Sequence, residues 1–155
     1  MISIKAFSDA TYQKIAGGSI FPVFSSLKVL KEMKVWTELT HVVVPGWTDN
    51  FQLLEKMCGW MKENGFENHP FHFLKFEPQF RMSQLEPAPE EMMIRAVEVA
   101  VQSGLPFVYG KHQLNTVCPN CKHVIAERKN NKVFLTGIKN SGCSKCKTKI
   151  AGIWS

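Results

Sequence analysis

Acidic side chains are nearly absent from one end of this 155-residue chain. Positions 118–155 hold one, Glu127, against eight Lys and Arg. Positions 1–117 hold twelve acidic and eleven basic residues, so the formal charge of +6 belongs to the C-terminal stretch and not to the whole molecule. That distribution argues against a body built to bind nucleic acid, which needs basic side chains spread over one face and interleaved with aromatic ones. Long apolar runs are missing too. None approaches the ~20 residues of a membrane helix, so no membrane partner is expected. The opening MISIKAFSD lacks the apolar stretch of a secretory leader, which makes the expected location cytoplasmic. No glycine-rich phosphate loop, low-complexity segment or close internal repeat is present. Cysteine is almost absent from the first 117 residues, where Cys58 stands alone.

What is present is an alternation. Residues 2–7, 35–44, 71–76 and 105–109 read as strands. Between them lie stretches with helical spacing and helix punctuation. Ser8-Asp9 caps a short helix that Gly17-Gly18 stops, and Pro22 opens a second with Val23, Leu27, Leu30 and Met33 on one face. Thr48-Asp49-Asn50 is the cap region of a third, with Leu53, Leu54, Met57, Cys58 and Met61 as its apolar side and Gly65 as its stop. Pro87 and Pro89, followed by Glu90-Glu91, mark the start of a fourth that ends at Gly104. Repeated strand–helix units build parallel sheets with ligands at the carboxyl ends of the strands. Four strands are too few to close a barrel. The fold class expected is therefore α/β, a partial β/α barrel over 1–113, followed by a small β domain over 114–155.

The second stretch carries Cys118-Pro119-Asn120-Cys121 and Cys143-Ser144-Lys145-Cys146, with 122–142 between them. A two-residue gap lets both sulfurs of a pair reach one ion, and four thiolates satisfy a tetrahedral zinc. Residues 123–125 and 132–135 read as a hairpin around Lys129-Asn130-Asn131, and 150–154 as a third strand. This is the pattern of a structural zinc ribbon. Two redox pairs, or an iron of rubredoxin type, share the spacing. With four ligands in place no position is left for substrate. Cys58, between Met57 and Met61, reads as a buried inert thiol. His41 and His72 fall on strands and are expected in the core or at sheet ends. His123 follows the second zinc cysteine by two residues and is not needed as a ligand. The lysines of this stretch read as a solvated face; their alternative role is contact with nucleic acid or an acidic protein surface.

Four stretches carry a resemblance. They are Ser3-Ile4-Lys5-Ala6-Phe7-Ser8, then Val42-Val43-Val44-Pro45-Gly46-Trp47-Thr48-Asp49, then Phe73-Leu74-Lys75-Phe76-Glu77-Pro78, and last Asn115-Thr116-Val117-Cys118-Pro119-Asn120-Cys121 with Cys143 through Trp154. Together they resemble the C-terminal part of the pyruvate formate-lyase activating-enzyme group of radical SAM proteins. The radical SAM enzyme of the AmmeMemoRadiSam system is the most similar. The resemblance implies a radical SAM barrel, S-adenosylmethionine, a [4Fe–4S] cluster on a Cys-x3-Cys-x2-Cys loop, and a protein substrate for the complete enzyme. It implies that Lys5 stands at the lysine of an Asp-x-Lys motif whose Asp is here Ser3. It places Thr40 and Val42 beside the cofactor, and Glu77 where some activating enzymes have a His. No three cysteines of this chain show the cluster spacing, so no radical chemistry is expected of it alone. The strand at residues 2–7 is then an open edge, expected to pair in a homodimer or with a separate N-terminal half.

Overall fold

The structure, a computed structural model, describes residues 1–110, 115–130 and 132–154. The chain divides into two compact units, Met1–Lys111 and His112–Ser155. The expected boundary at 113/114 lies outside the described residues.

The first unit alternates strand and helix: β1 (Ile2–Ser3), α1 (Asp9–Ala16), α2 (Phe21–Glu32), β2 (Leu39–Val43), α3 (Phe51–Glu63), β3 (Phe71–Lys75), α4 (Glu90–Gln102) and β4 (Val108–Tyr109). All neighbouring strands are parallel and run β1-β2-β3-β4 in chain order. The helix punctuation acts as read. Ser8 caps α1 by accepting from Thr11 N–H, and Gly17 closes it at φ 68°. Asn50 caps α3 by accepting from Leu53 N–H at 3.0 Å. Pro22 lies in the first turn of α2, and Pro89 precedes α4.

All four strands are shorter than expected: β3 stops at Lys75, and β4 covers only Val108–Tyr109 of the stretch 105–109. The sheet ladder on residues 2–7 covers Ile2–Ser3, although Ile4 N–H still reaches Thr40 C=O at 2.9 Å. The strand expected over 35–44 starts at Leu39. Its first residues belong to the end of α2: Lys34 turns left-handed at φ 55°, and Val35 N–H bonds back to Leu30 C=O at 2.9 Å. That wrap satisfies carbonyls the helix would otherwise leave open.

Side chains alternate across a strand. Leu39 and Val43 of β2, Phe71 and Phe73 of β3 and Val108 of β4 share one buried cluster with Leu27, Leu54, Met57, Met93 and Ala96 from the helices. The alternate positions, Ser3, Thr40, Val42, His72, Leu74 and Tyr109, line the other face. Two lysines bind successive units. Lys31 of α2 donates to Gly65 C=O beyond α3, and Lys62 of α3 donates to Ser103 C=O beyond α4 at 2.9 Å.

The second unit contains β5 (Thr116–Val117), β6 (Val124–Lys129), β7 (Lys132–Phe134), β8 (Ile138–Lys139) and β9 (Gly142–Cys143). An antiparallel sheet runs β5-β6-β7, and β8 pairs β9. The expected hairpin forms; Asn131 of its turn lies outside the described residues. The third strand expected over 150–154 does not form. Gly152 turns at φ 147°, and the Trp154 indole N–H donates back to Ile150 C=O at 3.1 Å, so this stretch folds on itself. The third strand is β5 instead, ahead of the first cysteine pair. At Gly137 the chain passes so close to Val124 C=O that a Cβ would lie 2.0 Å from that oxygen.

Candidate metal centre

The sulfurs of Cys118, Cys121, Cys143 and Cys146 all lie within 4.8 Å of one another. Cys118–Cys146 and Cys121–Cys143 are both 3.6 Å apart. A tetrahedron with metal–sulfur bonds of about 2.3 Å has edges of about 3.8 Å. These residues therefore fit one tetrahedral ion, and the separations are far longer than a disulfide's ~2.05 Å.

The two pairs are built alike. Lys122 N–H bonds to Cys118 C=O at 3.0 Å, and Lys147 N–H bonds to Cys143 C=O at 2.9 Å. Both lysines are left-handed, at φ 58° and 65°. The Cys118 amide donates to His123 C=O at 2.8 Å and the Cys143 amide to Thr148 C=O at 2.9 Å. Each lysine's ammonium returns to a carbonyl inside its own pair, Lys122 to Pro119 and Lys147 to Ser144. Left-handed backbone disfavours L side chains. Both turns accept that strain, which points two sulfurs to one place. The repeated Cys-Lys dipeptide was the sequence signal for this.

A small outer layer supports the sulfurs. Thr148 Oγ1 lies 3.2 Å from Cys146 Sγ and accepts from the Asn120 amide at 3.0 Å, which ties the two pairs together. His123 is occupied elsewhere, its Nε2 3.3 Å from Ser144 Oγ. Neither Thr148 nor Asn120 stood out in the sequence, because threonine and asparagine carry no ligand signature.

Without an ion, four thiols this close do not titrate alike. The Thr148 hydroxyl, and then its amide, lower Cys146 to about 5. The Cys146 and Lys145 amides lower Cys143 against the opposing effect of burial. At Cys121 the His123 amide pulls downward, but burial and the neighbouring sulfurs outweigh it and hold the thiol at about 11. The set is poised to lose protons to a cation. Cys58 stands apart. Burial raises it to about 12, which leaves a thiol without nucleophilic character.

In the parallel-sheet unit, Thr40 is buried and Val42 half-buried on the same face of β2, with Ser3 registered beside Thr40. Lys5 is exposed, two residues beyond Ser3. Glu77 is exposed and pairs with Lys75 at 3.7 Å. On the same face as Thr40, His72 Nε2 lies 2.9 Å from Glu38 Oε2 and its ring stacks on Tyr109 at 5.1 Å. His41 points the other way. It is buried, with Nδ1 2.8 Å from Ile4 C=O, and burial lowers its pKa. Among the described residues no helix is long and apolar enough to cross a membrane.

No protein-family model matches the chain. An uncharacterized protein of Methanocaldococcus jannaschii, MJ0808, is 30% identical over 156 residues, covering 96% of this chain and 46% of its own length. Pyruvate formate-lyase 1-activating enzyme of Escherichia coli is 25% identical over 116 residues, covering 67% of this chain and 46% of the enzyme, and its Shigella flexneri counterpart matches equally. The chain thus spans about half the length of the curated relatives it matches.

Proposed function

We propose that this chain is the C-terminal part of a radical SAM enzyme of the activating-enzyme type, most akin to the AmmeMemoRadiSam-system enzyme. Residues 1–113 supply part of its β/α barrel, and 114–155 a zinc ribbon that holds structure and performs no chemistry. The observation that carries the reading is the sheet itself. Its strands follow chain order β1-β2-β3-β4 with no reversal, one face covered by helices and the other lined by Ser3, Thr40, Val42, His72 and Tyr109. An open doubly wound sheet reverses its strand order at a switch point and packs helices on both faces. A barrel wall has sequential order and one helix layer. The likeness to pyruvate formate-lyase 1-activating enzyme over 67% of the chain supports the same assignment.

On this reading Lys5, Thr40 and Val42 face the space where S-adenosylmethionine binds in the complete enzyme. The chain does not fit the [4Fe–4S] group. Cys118, Cys121, Cys143 and Cys146 meet one another, and Cys58 is buried alone. No radical step is therefore assigned to it. The cluster loop comes from elsewhere, and the exposed strand end at β1 is the edge that receives a separate N-terminal half or a second copy. In the complete enzyme the substrate is a protein.

The test is anaerobic reconstitution with iron and sulfide, followed by assay for 5′-deoxyadenosine. The chain alone is expected to hold one zinc, release no 5′-deoxyadenosine, and gain that activity only with a polypeptide carrying the Cys-x3-Cys-x2-Cys loop. Reductive cleavage of S-adenosylmethionine by this chain alone overturns the proposal.

A further inference from the structure

Strand β7 ends the antiparallel sheet of the second unit and pairs with β6 alone among the described strands. An edge strand turns alternate N–H and C=O groups toward solvent, where another chain can pair with them. Proteins ordinarily blunt such an edge with charge, proline or a bulge. Here Lys132 supplies one charge, but the three residues that follow it are apolar and open: Val133 at 57%, Phe134 at 47% and Leu135 at 49% exposure.

The surroundings state what would cover it. The second unit has eight basic residues and one acidic residue. That acid, Glu127, is already paired with Lys129 at 2.8 Å. Lys132 lies in the strand itself and makes no ion pair among the described residues. With four thiolates and a dication in place the unit still carries about +5. A second copy laid along β7 would bring two strongly basic units against each other, a like-charge approach that disfavours the pair. Single-stranded nucleic acid stacks on several aromatic faces. This patch has one ring, Phe134, between two aliphatic side chains that offer none. A free main-chain edge reads a polypeptide, and apolar side chains beside lysine read alternating apolar and acidic ones.

We propose that β7 is a strand-addition site for an extended segment of another protein in which acidic and β-branched residues alternate. The proposal is independent of the radical SAM reading and can fail or stand without it.

The test uses the full chain loaded with zinc and a short fluorescent peptide of alternating glutamate and valine, read by anisotropy. Saturable binding that weakens with salt is expected, with amide shifts in an isotope-labelled chain concentrated on residues 132–135. Val133→Glu is expected to weaken binding about tenfold or more, because it sets a carboxylate against the peptide's apolar positions and lowers the unit's positive charge, with zinc content unchanged. If Val133→Glu loses its zinc, Leu135→Glu, outside the ladder, provides the same measurement. A peptide methylated on its backbone nitrogens should not bind, because it cannot pair as a strand. The proposal is overturned if a lysine–valine peptide binds as well, or if both glutamate variants bind normally. It is equally overturned if single-stranded RNA displaces the peptide from this face, or if sedimentation shows a dimer that Val133→Glu dissociates.

Discussion

The two units solve the same problem by different means. The first buries a continuous cluster running from Ile4 to Val108, in which Leu27, Leu39, Met57, Met61, Phe66 and Phe71 are fully enclosed. The second encloses little: Ile125, Ala126 and Ile150, with Cys118 and Cys143 beside them. A unit of that size seldom stands on its core alone and needs a staple. Its four sulfurs converge from two turns distant in sequence, so one ion there would close the long loop between them. The parallel sheet is held by burial spread over many side chains. On the proposed reading the smaller unit is held by four bonds to one atom, and the loss of a single ligand is correspondingly graver.

The largest expected effect breaks the comparison at that atom. Cys143→Ser, or removal of the metal by a chelator, should abolish stoichiometric metal and collapse the amide dispersion of the second unit, while the first keeps its helical signal. Structural zinc contributes about 10–16 kcal/mol in small zinc-dependent folds. A metal-free chain that retains both sets of dispersed amides would show that the smaller unit stands without its ion.

A smaller effect comes from the other side. Phe66→Ala removes a fully buried ring that packs on Trp60 and His69, and should cost about 3–5 kcal/mol. Denaturant unfolding followed by tryptophan fluorescence measures it. Bound metal per folded chain should not change; a parallel loss of metal would mean that the two units share their stability.

The smallest effect is in pH. His41 and His69 both have pKa values lowered from 6.5 by burial. The unfolded chain therefore binds more protons than the folded one below about pH 6.5, and the first unit loses stability as pH falls through that range. Above it these groups contribute no slope. Metal binding behaves otherwise. Cys121, held at about 11, is protonated at neutral pH and must give up its proton to solvent as an ion binds. Metal affinity should therefore keep rising between pH 7 and pH 8, where the first unit's unfolding midpoint stays nearly flat; only toward pH 9 does Cys58, held at about 12, begin to cost that unit stability as the unfolded thiol ionises. Competition titration with a chelator alongside thermal melts separates the two. A flat affinity across that range would refute the assigned thiol.

Much of this was legible in the residues. Helix starts and stops followed local chemistry at Ser8, Gly17, Asn50 and Pro89, and the cysteine set was fixed by spacing. What escaped depends on tertiary partners. The beginning of β2 was misplaced because Val35 reads as a strand residue by propensity, yet its amide is used to finish α2. The third strand of the smaller sheet was assigned to residues 150–154 on apolar character, where Gly152 and the Trp154 indole bend the chain, and the two-residue β5 was too short to detect. At the site, Thr148 and Asn120 were invisible because their role exists only once the two cysteine turns face each other. The pair Glu38–His72 needs the register of β2 against β3, which no local pattern encodes.

The lysine contacts beside the parallel sheet tie successive helices end to end. Lys31 holds the carbonyl that ends α3, and Lys62, on α3, holds the carbonyl that ends α4. Each contact is modest, about 0.3–1 kcal/mol at an exposed helix end. They join the helices in series: the first ties α2 to the end of α3 and the second ties α3 to the end of α4, and the stack of Phe24 on Trp60 adds to the first link. Each contact is lost when either of its helices opens, so the coupling between neighbours is reciprocal. Slow amide exchange would record this as the end of α3 opening together with α2, and the end of α4 together with α3.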